Sequence, residues 1–152
     1  MIKILMVCHG NICRSPMAEF VFRDMAAKKG LDNLFQIASA ATSSEELGNP
    51  VHHGTRQKLK EHGILTDGKR AMRLKQSDYR DYDYLIGMDK WNIKNMIRIL
   101  DKDPEAKIHQ LLDFTGQPGD IADPWYTGDF ECTYRDVHAG CTGLLEYIMD
   151  HM

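Results

Sequence analysis

Short apolar runs alternate with helix-patterned segments along the whole chain, and this alternation limits the folds that the chain can adopt. The run at 2–7 is apolar enough for a strand that is buried on both faces. Similar runs follow at 35–39, 84–87 and 108–111, and the segments between them carry apolar residues every three or four positions. Strands that alternate with helices in this way build a parallel sheet with helices on both faces. The alternation therefore predicts an α/β fold.

Proline and glycine residues mark where two of the helices begin and end. Pro16 begins the first helix, because proline at the first helical position costs no hydrogen bond, and Gly30 ends it. Pro50 is predicted to begin a second helix, which Gly63 ends.

The second half of the chain is predicted to hold smaller elements before one long helix. A short strand is expected at 71–74 and a short helix at 77–82. A further helix contains Trp91, whose indole is expected in the core because it is in helical register with apolar neighbours. The Gly- and Pro-rich stretch at 113–129 is predicted to be a structureless connection, and such long loops are often functional. The last helix carries an apolar stripe between residues 130 and 148.

The composition fits one soluble globular domain over residues 1–152. Apolar residues make up 43% of the chain and charged residues 27%, and the net charge of -3 gives no basic surface for nucleic acid. No run of about 18 apolar residues is available for a membrane span. The apolar run at the N-terminus is too short for a signal peptide. A domain of this length does not need disulfides, so its four cysteines favour a cytoplasmic protein.

The segment Cys8-His9-Gly10-Asn11-Ile12-Cys13-Arg14-Ser15 connects the first strand to the first helix. A loop at this position can close around one tetrahedral anion, because backbone N–H groups and the helix N-terminus point at the oxygens. Arg14 adds a planar fork of donors that suits a phosphate. The same positive field stabilises the thiolate of Cys8, which is the form that attacks. The segment therefore predicts a phosphate site that contains its own nucleophile.

A second motif, Asp123-Pro124-Trp125-Tyr126, lies in the late loop, which follows the last strand and so reaches the same edge of the sheet. Pro124 biases Asp123 toward an extended conformation, which is expected to hold the carboxyl clear of any helix. A carboxylic acid in a partly desolvated pocket can protonate a departing oxygen. Asp123 is therefore the predicted acid, with Asp120 as the fallback. Trp125 and Tyr126 are expected to wall a planar leaving group.

Together the two motifs resemble those of the low-molecular-weight protein tyrosine phosphatases. The likeness extends in order through the segments at 39–42, 48–50, 62–64 and 87–89, so it covers nearly the whole chain. It implies a three-layer α/β sandwich with a four-stranded parallel sheet and a phosphate-binding loop after the first strand. It also implies hydrolysis of phosphotyrosine in proteins or peptides through a phosphocysteine, with phosphate or other oxyanions as product-like ligands. No cofactor is implied, and the absence of His-Glu-x-x-His and Cys-x-x-Cys argues against zinc.

The resemblance also implies a role for individual residues. Cys8 is the nucleophile, Arg14 clamps the phosphate and the transition state, and Asp123 is first the acid and then the base. Further residues hold the loop and the thiolate by hydrogen bonds, bind the phosphate or wall the pocket. The supporting residues are Asn11, Ser15 and Ser39; the phosphate-binding residues are His9, Gly10, Asn11, Ile12, Cys13, Arg14 and Ser15; the pocket wall is Ile12, Glu45, Trp125 and Tyr126.

The four cysteines divide into two pairs. A loop wrapped around an anion brings its ends together, so, in agreement with the family, oxidation is expected to form a reversible Cys8–Cys13 disulfide that protects the nucleophile. Cys132 and Cys141 are expected to face opposite sides of the last helix, about 13 Å apart by helical rise, which is beyond disulfide reach. Cys141 is expected in the core, and Cys132 is expected to be inert.

Two departures from the family bear on specificity. Glu45 stands where many members carry an aromatic residue at the pocket rim, so basic residues next to the phosphotyrosine are expected to be favoured over acidic ones. A histidine that often follows the segment at 62–64 is missing, and Gly68-Lys69-Arg70 occupies that region. Part of the network that supports the loop is therefore expected to differ.

Three other functions share some of these features. Arsenate reductases have the same fold but resemble thiol relays that need further cysteines on a mobile segment, whereas the remaining cysteines here lie on a helix. Protein-arginine phosphatases carry a threonine at the position of Ile12, and Ile12 favours an aryl phosphate. A non-hydrolytic phosphocysteine carrier would need no acid, so Asp123 discriminates between transfer and hydrolysis.

Overall fold

A computed structural model describes residues 1–66 and 68–152 of the chain. Its sheet consists of β1 (Ile2–Cys8), β2 (Phe35–Ala41), β3 (Tyr84–Gly87) and β4 (Ile108–Gln110). The spatial order is β2-β1-β3-β4, and every neighbouring pair is parallel. The predicted four-stranded parallel sheet is therefore confirmed, and β1, which leads into the cysteine-containing loop, is a central strand.

Six α-helices lie within the described part of the chain. They are α1 (Arg14–Lys28), α2 (His53–Glu61), α3 (Ser77–Asp81), α4 (Lys90–Leu100), α5 (Pro124–Thr127) and α6 (Phe130–Asp150). Short 3₁₀ turns occupy Asp32–Leu34 and Leu111–Phe114. None of the helices in residues 1–66 and 68–152 has the length and apolar character needed to cross a membrane.

The two faces of the sheet bury two separate apolar clusters. Alternate side chains of a strand point to opposite faces, so Ile4 and Met6 of β1 pack in one cluster with residues of α1 and α6. Leu5 and Val7 pack in the other cluster with residues of α4. All four side chains are at most 3% exposed, and each such burial contributes about 1.5–3 kcal/mol. This packing on both faces makes β1 a rigid base for the loop that follows it.

Glycine residues in α6 allow this helix to approach the turn after β4. A Cβ atom at Gly143 would overlap the backbone carbonyl of Phe114, and one at Gly140 would overlap the side chain of Leu111. The main-chain approach at Gly143 is the stricter requirement, because a backbone carbonyl cannot rotate out of the way as a side chain can. The contact fixes the segment that leads from the end of β4 toward Asp123.

The second helix begins at His53, later than the predicted start at Pro50. The residues before it are held in other pairings: Pro50 forms an antiparallel bridge with Arg70, and the Ala71 amide donates to the carbonyl of Asn49. These contacts remove the stretch from the helix although proline suits a first helical position. The strand predicted at 71–74 is likewise reduced to one isolated bridge, which joins Arg73 to Ala41 at the end of β2.

Two further sequence predictions are wrong. The indole of Trp91 is 60% exposed and not in the core; the ammonium groups of Lys90 and Lys94 lie 6.0 and 5.5 Å from its ring centroid. The stretch at 113–129 is not structureless either, because it contains the single turn of α5. The apolar stripe of the last helix is buried from Val137 onward, whereas Phe130 and Tyr134 at its beginning are half-buried.

Candidate active site

The loop between β1 and α1 wraps around the sulfur of Cys8, whose side chain is almost fully buried. Sγ lies 3.3 Å from the amide nitrogen of Asn11, 3.4 Å from that of Ser15 and 3.0 Å from the Ser15 hydroxyl oxygen. Asn11 adopts φ +59°, a left-handed conformation that asparagine tolerates better than most residues. This turn aims the Asn11 amide at the sulfur. Hydrogen bonds from several donors to one sulfur stabilise its anionic form.

The side chain of Asn11 fixes the direction of the hydrogen bonds beneath the loop. Its Oδ1 accepts a hydrogen bond from the Met72 amide at 3.0 Å, so its Nδ2 faces the hydroxyls of Ser15 and Ser39 at 2.8 and 2.9 Å. An amide NH₂ group only donates. Ser15 therefore accepts from Asn11 and keeps its single proton for the sulfur of Cys8. The geometry assigns the Ser15 hydroxyl as the donor in that contact.

Arg14 is the first residue of α1, and its guanidinium is 3% exposed. Nη1 donates to Asp89 Oδ2 at 2.6 Å and to the Ile121 carbonyl at 2.9 Å, while Nη2 lies 3.4 Å from Asp123 Oδ2. Burial opposes the charge, but Cys8 and the two carboxylates outweigh it and raise the pKa of Arg14 above its ordinary value. The cation is therefore permanent and fixed in orientation, which suits a clamp for an anion.

Asp123 lies directly before α5, and its carboxyl reaches Arg14 from there. Its backbone is extended, with φ −79° and ψ 114°, as the following Pro124 predicts. The carboxylate is not clear of a helix, however, because Oδ1 accepts the Trp125 amide at 3.0 Å and so caps α5. Its other oxygen faces Arg14. Asp120 lies elsewhere: its carboxylate accepts from the Lys90 amide and from Gln110 Nε2, outside the cavity.

A cleft of about 520 Å³, including its open mouth, joins the loop to the acid. Trp125 is 55% exposed and Tyr126 83% exposed at its edge, so both present aromatic surface to an incoming group. The structure thus brings together most of the site residues suggested by the sequence, while Asn11, Ser15 and Ser39 lie beneath the floor. The cleft is lined by Cys8, His9, Gly10, Ile12, Cys13, Arg14, Glu45, Glu46, Asp123, Trp125 and Tyr126.

The rim of the cleft is polar and exposed, whereas its wall contains a buried thiol. At the rim, His9 Nε2 and Glu45 Oε2 are 3.0 Å apart, and both side chains are well exposed. In the wall, the Cys13 thiol is 4% exposed. Burial, with smaller contributions from Cys8 and Asp123, raises its pKa to about 12, so Cys13 is a neutral thiol at physiological pH. Only one of the two loop cysteines therefore receives the donors that favour a thiolate.

His52 connects the nucleophile loop to the acid loop. Its backbone amide donates to the Ile12 carbonyl at 2.8 Å. Its ring stacks on Phe130 at 5.3 Å and meets the edge of Trp125 at 5.7 Å between centroids. Burial and the neighbouring His53 lower the pKa of His52, which favours the neutral ring that accepts the Gly54 amide at Nδ1. No sequence motif pointed to His52.

Three charged residues of the site escaped prediction from the sequence. Asp89 follows β3 and caps α4, and its place at the carboxyl end of a parallel strand was the available signal. Glu19 lies on the buried part of α1, and Lys69 lies in the segment that departs from the family pattern. Within residues 1–66 and 68–152, no group of three His, Cys, Asp or Glu side chains is arranged to hold a metal ion.

Comparisons with known proteins agree with this geometry. A model of the family "Low molecular weight phosphotyrosine protein phosphatase" matches residues 3–151. The low molecular weight protein-tyrosine-phosphatase YfkJ of Bacillus subtilis is 43% identical over 150 residues, which cover 97% of this chain and 96% of YfkJ. The crystal structure of YfkJ superposes with a TM-score of 0.96 at 42% identity and covers 99% of this chain and 96% of its own.

Two more distant structures are also similar. The low molecular weight protein tyrosine phosphatase SP-PTP of Streptococcus pyogenes gives a TM-score of 0.86 at 40% identity, and the match covers 100% of both chains. The Drosophila arginine phosphatase DARP gives a TM-score of 0.87 at 30% identity, with 97% of this chain and 98% of DARP covered.

Proposed function

The chain belongs to the low molecular weight phosphotyrosine protein phosphatase family, and from this membership we propose that Cys8, Arg14 and Asp123 carry out its hydrolysis of phosphotyrosine. One observation supports this assignment above the others. The sulfur of Cys8 receives three hydrogen bonds at the bottom of a cleft whose sides hold a buried guanidinium and a carboxylate. A nucleophile, an anion clamp and a proton carrier therefore face one volume.

In the first step, the loop amides and Arg14 bind the phosphoryl oxygens of the substrate. The Cys8 thiolate attacks phosphorus, so that a sulfur–phosphorus bond forms while the bond from phosphorus to the tyrosine oxygen breaks. Asp123 gives its proton to that oxygen, and tyrosine leaves as a neutral phenol. Phosphoryl transfer needs positioning and charge stabilisation more than new covalent chemistry, and the buried pair of Arg14 and Asp89 supplies a preset orientation.

In the second step, the carboxylate of Asp123 takes a proton from a water molecule, which attacks the phosphocysteine. The sulfur–phosphorus bond breaks, phosphate is released and the Cys8 thiolate returns, stabilised again by the Ser15 hydroxyl and two amides. Asp123 can serve both steps because one of its oxygens is held by the Trp125 amide, and that contact keeps the other oxygen at the cleft. The chemistry requires no metal or cofactor.

Hydrolysis of para-nitrophenyl phosphate with EDTA present tests the proposal. Cys8→Ser is expected to abolish turnover. Asp123→Asn is expected to lower kcat by about 10²–10⁴-fold, the range for loss of a general acid. This loss should be larger on phosphotyrosine, whose leaving group is poorer, than on the nitrophenyl ester. Asp120→Asn is the matched control and should behave like the wild type. The assignment is wrong if both aspartate variants lose the same activity.

Protein-arginine phosphatase activity is the second candidate, because the arginine phosphatase DARP shares the fold at 30% identity. Ile12 lines the cleft and is apolar and branched, whereas that subgroup has threonine at this position. We expect phosphotyrosine to be hydrolysed faster than phosphoarginine, and Ile12→Thr to shift the ratio toward phosphoarginine. An arsenate-reductase relay is disfavoured, since Cys141 is fully buried and Cys132 lies two and a half turns away on α6.

A further inference from the structure

A buried carboxylate lies beneath the phosphate loop, outside the cleft. Glu19 of α1 is 5% exposed, and all its described contacts are with donors. Oε1 accepts the hydroxyl of Ser39, and Oε2 accepts Arg23 Nη2 at 2.8 Å. The ammonium of Lys69 lies 3.7 Å from Oε1. Because each of these three groups donates, both carboxylate oxygens of Glu19 act as acceptors, and the single proton of the Ser39 hydroxyl is directed toward Oε1.

Lys69 is buried to an unusual degree for a lysine. Its side chain is 9% exposed, and its Nζ donates to the backbone carbonyl of Ser39 at 2.8 Å. Burial lowers the pKa of the Lys69 ammonium below its ordinary value, while Glu19 opposes that change. Desolvating two charges offsets much of their mutual attraction, so a buried ion pair contributes little net stability. The pair of Glu19 and Lys69 is better explained by what it orients.

We propose that Lys69 is a positioning residue of the phosphatase reaction, which acts with Glu19 through the hydroxyl of Ser39. On each side of the Asn11 amide, a serine hydroxyl accepts from Asn11 and donates its own proton to a further acceptor. Ser39 gives its proton to Glu19 and its oxygen accepts from Asn11. The second N–H of the same amide is thereby directed to Ser15, and Ser15 donates to the Cys8 sulfur.

Both oxygens of Ser39 are therefore engaged by the same charged pair. Lys69 binds its carbonyl oxygen and Glu19 binds its hydroxyl. This pairing fixes the residue in both backbone and side chain, at a position in β2 that pairs with Met6 of β1. Without the ammonium, Arg23 would be the remaining cation in contact with Glu19 among the described residues, and its side chain is 48% exposed. The carboxylate could then turn toward Arg23 and release the Ser39 hydroxyl. This inference rests on the proposed role of Cys8 as the nucleophile.

Lys69→Met tests the proposal, because methionine keeps much of the length of lysine without its charge. Two measurements are needed: steady-state kinetics on para-nitrophenyl phosphate, and the rate of Cys8 alkylation by iodoacetate at about pH 6. The alkylation rate reports the thiolate population, because only the thiolate reacts. We expect kcat and the alkylation rate to fall together by about five- to tenfold, the size of one lost hydrogen bond, while KM changes by less than about twofold. Lys29→Met, on the exposed surface, is the matched control.

Repeating the Lys69→Met measurement in a Ser39→Ala variant distinguishes a positioning role of Lys69 from a purely structural one. Ser39→Ala removes the hydroxyl but keeps the carbonyl that Lys69 binds. In that background Lys69→Met should cause little additional loss, since residues that act through one link are not additive. An equal additional loss in both backgrounds, or a lower melting temperature with unchanged kcat and alkylation, overturns the proposal. If Lys69→Met does not fold, Glu19→Gln provides the same test, with the same expected fall in both rates.

Cys8→Ser, measured in the same series, keeps this inference separate from the proposed function. An active Cys8→Ser enzyme contradicts the proposed nucleophile, and the positioning role falls with it. An inactive Cys8→Ser enzyme together with a Lys69→Met enzyme that resembles the wild type overturns the positioning role alone.

Discussion

Replacing Ser15 with alanine removes one hydroxyl from beneath the sulfur of Cys8 and leaves the rest of the loop in place. Ser15 is fully buried in the first turn of α1, where alanine is a good helix former, so the backbone should persist. The variant loses the 3.0 Å hydrogen bond to Sγ, and the Asn11 amide loses one acceptor. The amides of Asn11 and Ser15 still donate to the sulfur.

The expected size of the effect follows from this geometry. A hydrogen bond to a charged group contributes about 1.5–3 kcal/mol, and each 1.4 kcal/mol is about a factor of ten in an equilibrium. Sulfur is a weak acceptor, and two amide donors remain at 3.3 and 3.4 Å. The lower end therefore applies. At a fixed mildly acidic pH, Ser15→Ala should hold about tenfold less thiolate at Cys8 than the wild type.

Iodoacetate alkylation of Cys8 measures this population directly, because the thiolate is the reactive form. The rate at about pH 6 should fall about tenfold in Ser15→Ala, while the two proteins should converge at high pH. Ser43→Ala is the matched control: its hydroxyl donates to the His9 carbonyl of the same loop but does not contact the sulfur. Equal rates for Ser15→Ala and wild type at low pH would refute the assignment of the Ser15 hydroxyl as the donor.

Three further changes test other parts of the structure. Gly143→Ala should lower the free energy of unfolding by about 1–3 kcal/mol in urea titrations, as overpacking does, because its Cβ would overlap the Phe114 carbonyl; Gly116→Ala, which meets open space, should be neutral. Glu45→Gln should lower kcat/KM by about two- to fivefold on phosphotyrosine peptides with flanking arginines, the scale of an exposed ion pair, and raise it on acidic peptides; an unchanged ratio contradicts a role for the rim charge. After peroxide treatment, thiols should restore the activity of the wild type but not that of Cys13→Ser; equal recovery of the two proteins excludes a protective disulfide.

Much of the fold could be predicted from the sequence, because several local signals agree there. The run at 2–7 is continuously apolar, as a strand buried on both faces requires, and β1 does pack against helices on both sides. Pro16 lies in the first turn of α1, which begins two residues earlier than predicted, at Arg14, and Gly30 adopts φ +70° just after the helix end. Where periodicity, helix ends and turn residues all indicate one structure, tertiary contacts have little to override.

The errors arise where tertiary contacts compete with a local signal. Pro50 suits a helix start, but its segment is held by the bridge to Arg70. Trp91 has core-like spacing, yet it lies on the outward side of α4, where two lysines cover its ring. Asp123 was expected to stand clear of helices, but a proline directly after it also begins a single turn that its carboxylate caps.

The candidate site shows the same contrast between features that local sequence signals predict and features that tertiary contacts determine. Cys8 and Asp123 meet because parallel strands deliver their following loops to one edge of the sheet, a consequence of strand direction that the alternation already contains. The side chains that support the site, in contrast, contact residues that are distant in sequence. Asp89 reaches Arg14 across 75 positions, and Lys69 reaches Ser39 across 30. No periodic pattern encodes such contacts, so Asp89, Glu19 and Lys69, the charged members of the supporting network, became visible only in three dimensions.

Trapping the covalent intermediate tests the mechanism most directly. The enzyme is mixed with para-nitrophenyl phosphate, denatured within the first turnover, digested and analysed by mass spectrometry for phosphorylated peptides. The proposed mechanism predicts one phosphoryl group on the sulfur of Cys8, more of it in Asp123→Asn, where the base of the second step is lost, and none in Cys8→Ser. A phosphoryl group on any other residue, or turnover without a phosphorylated Cys8, would contradict it.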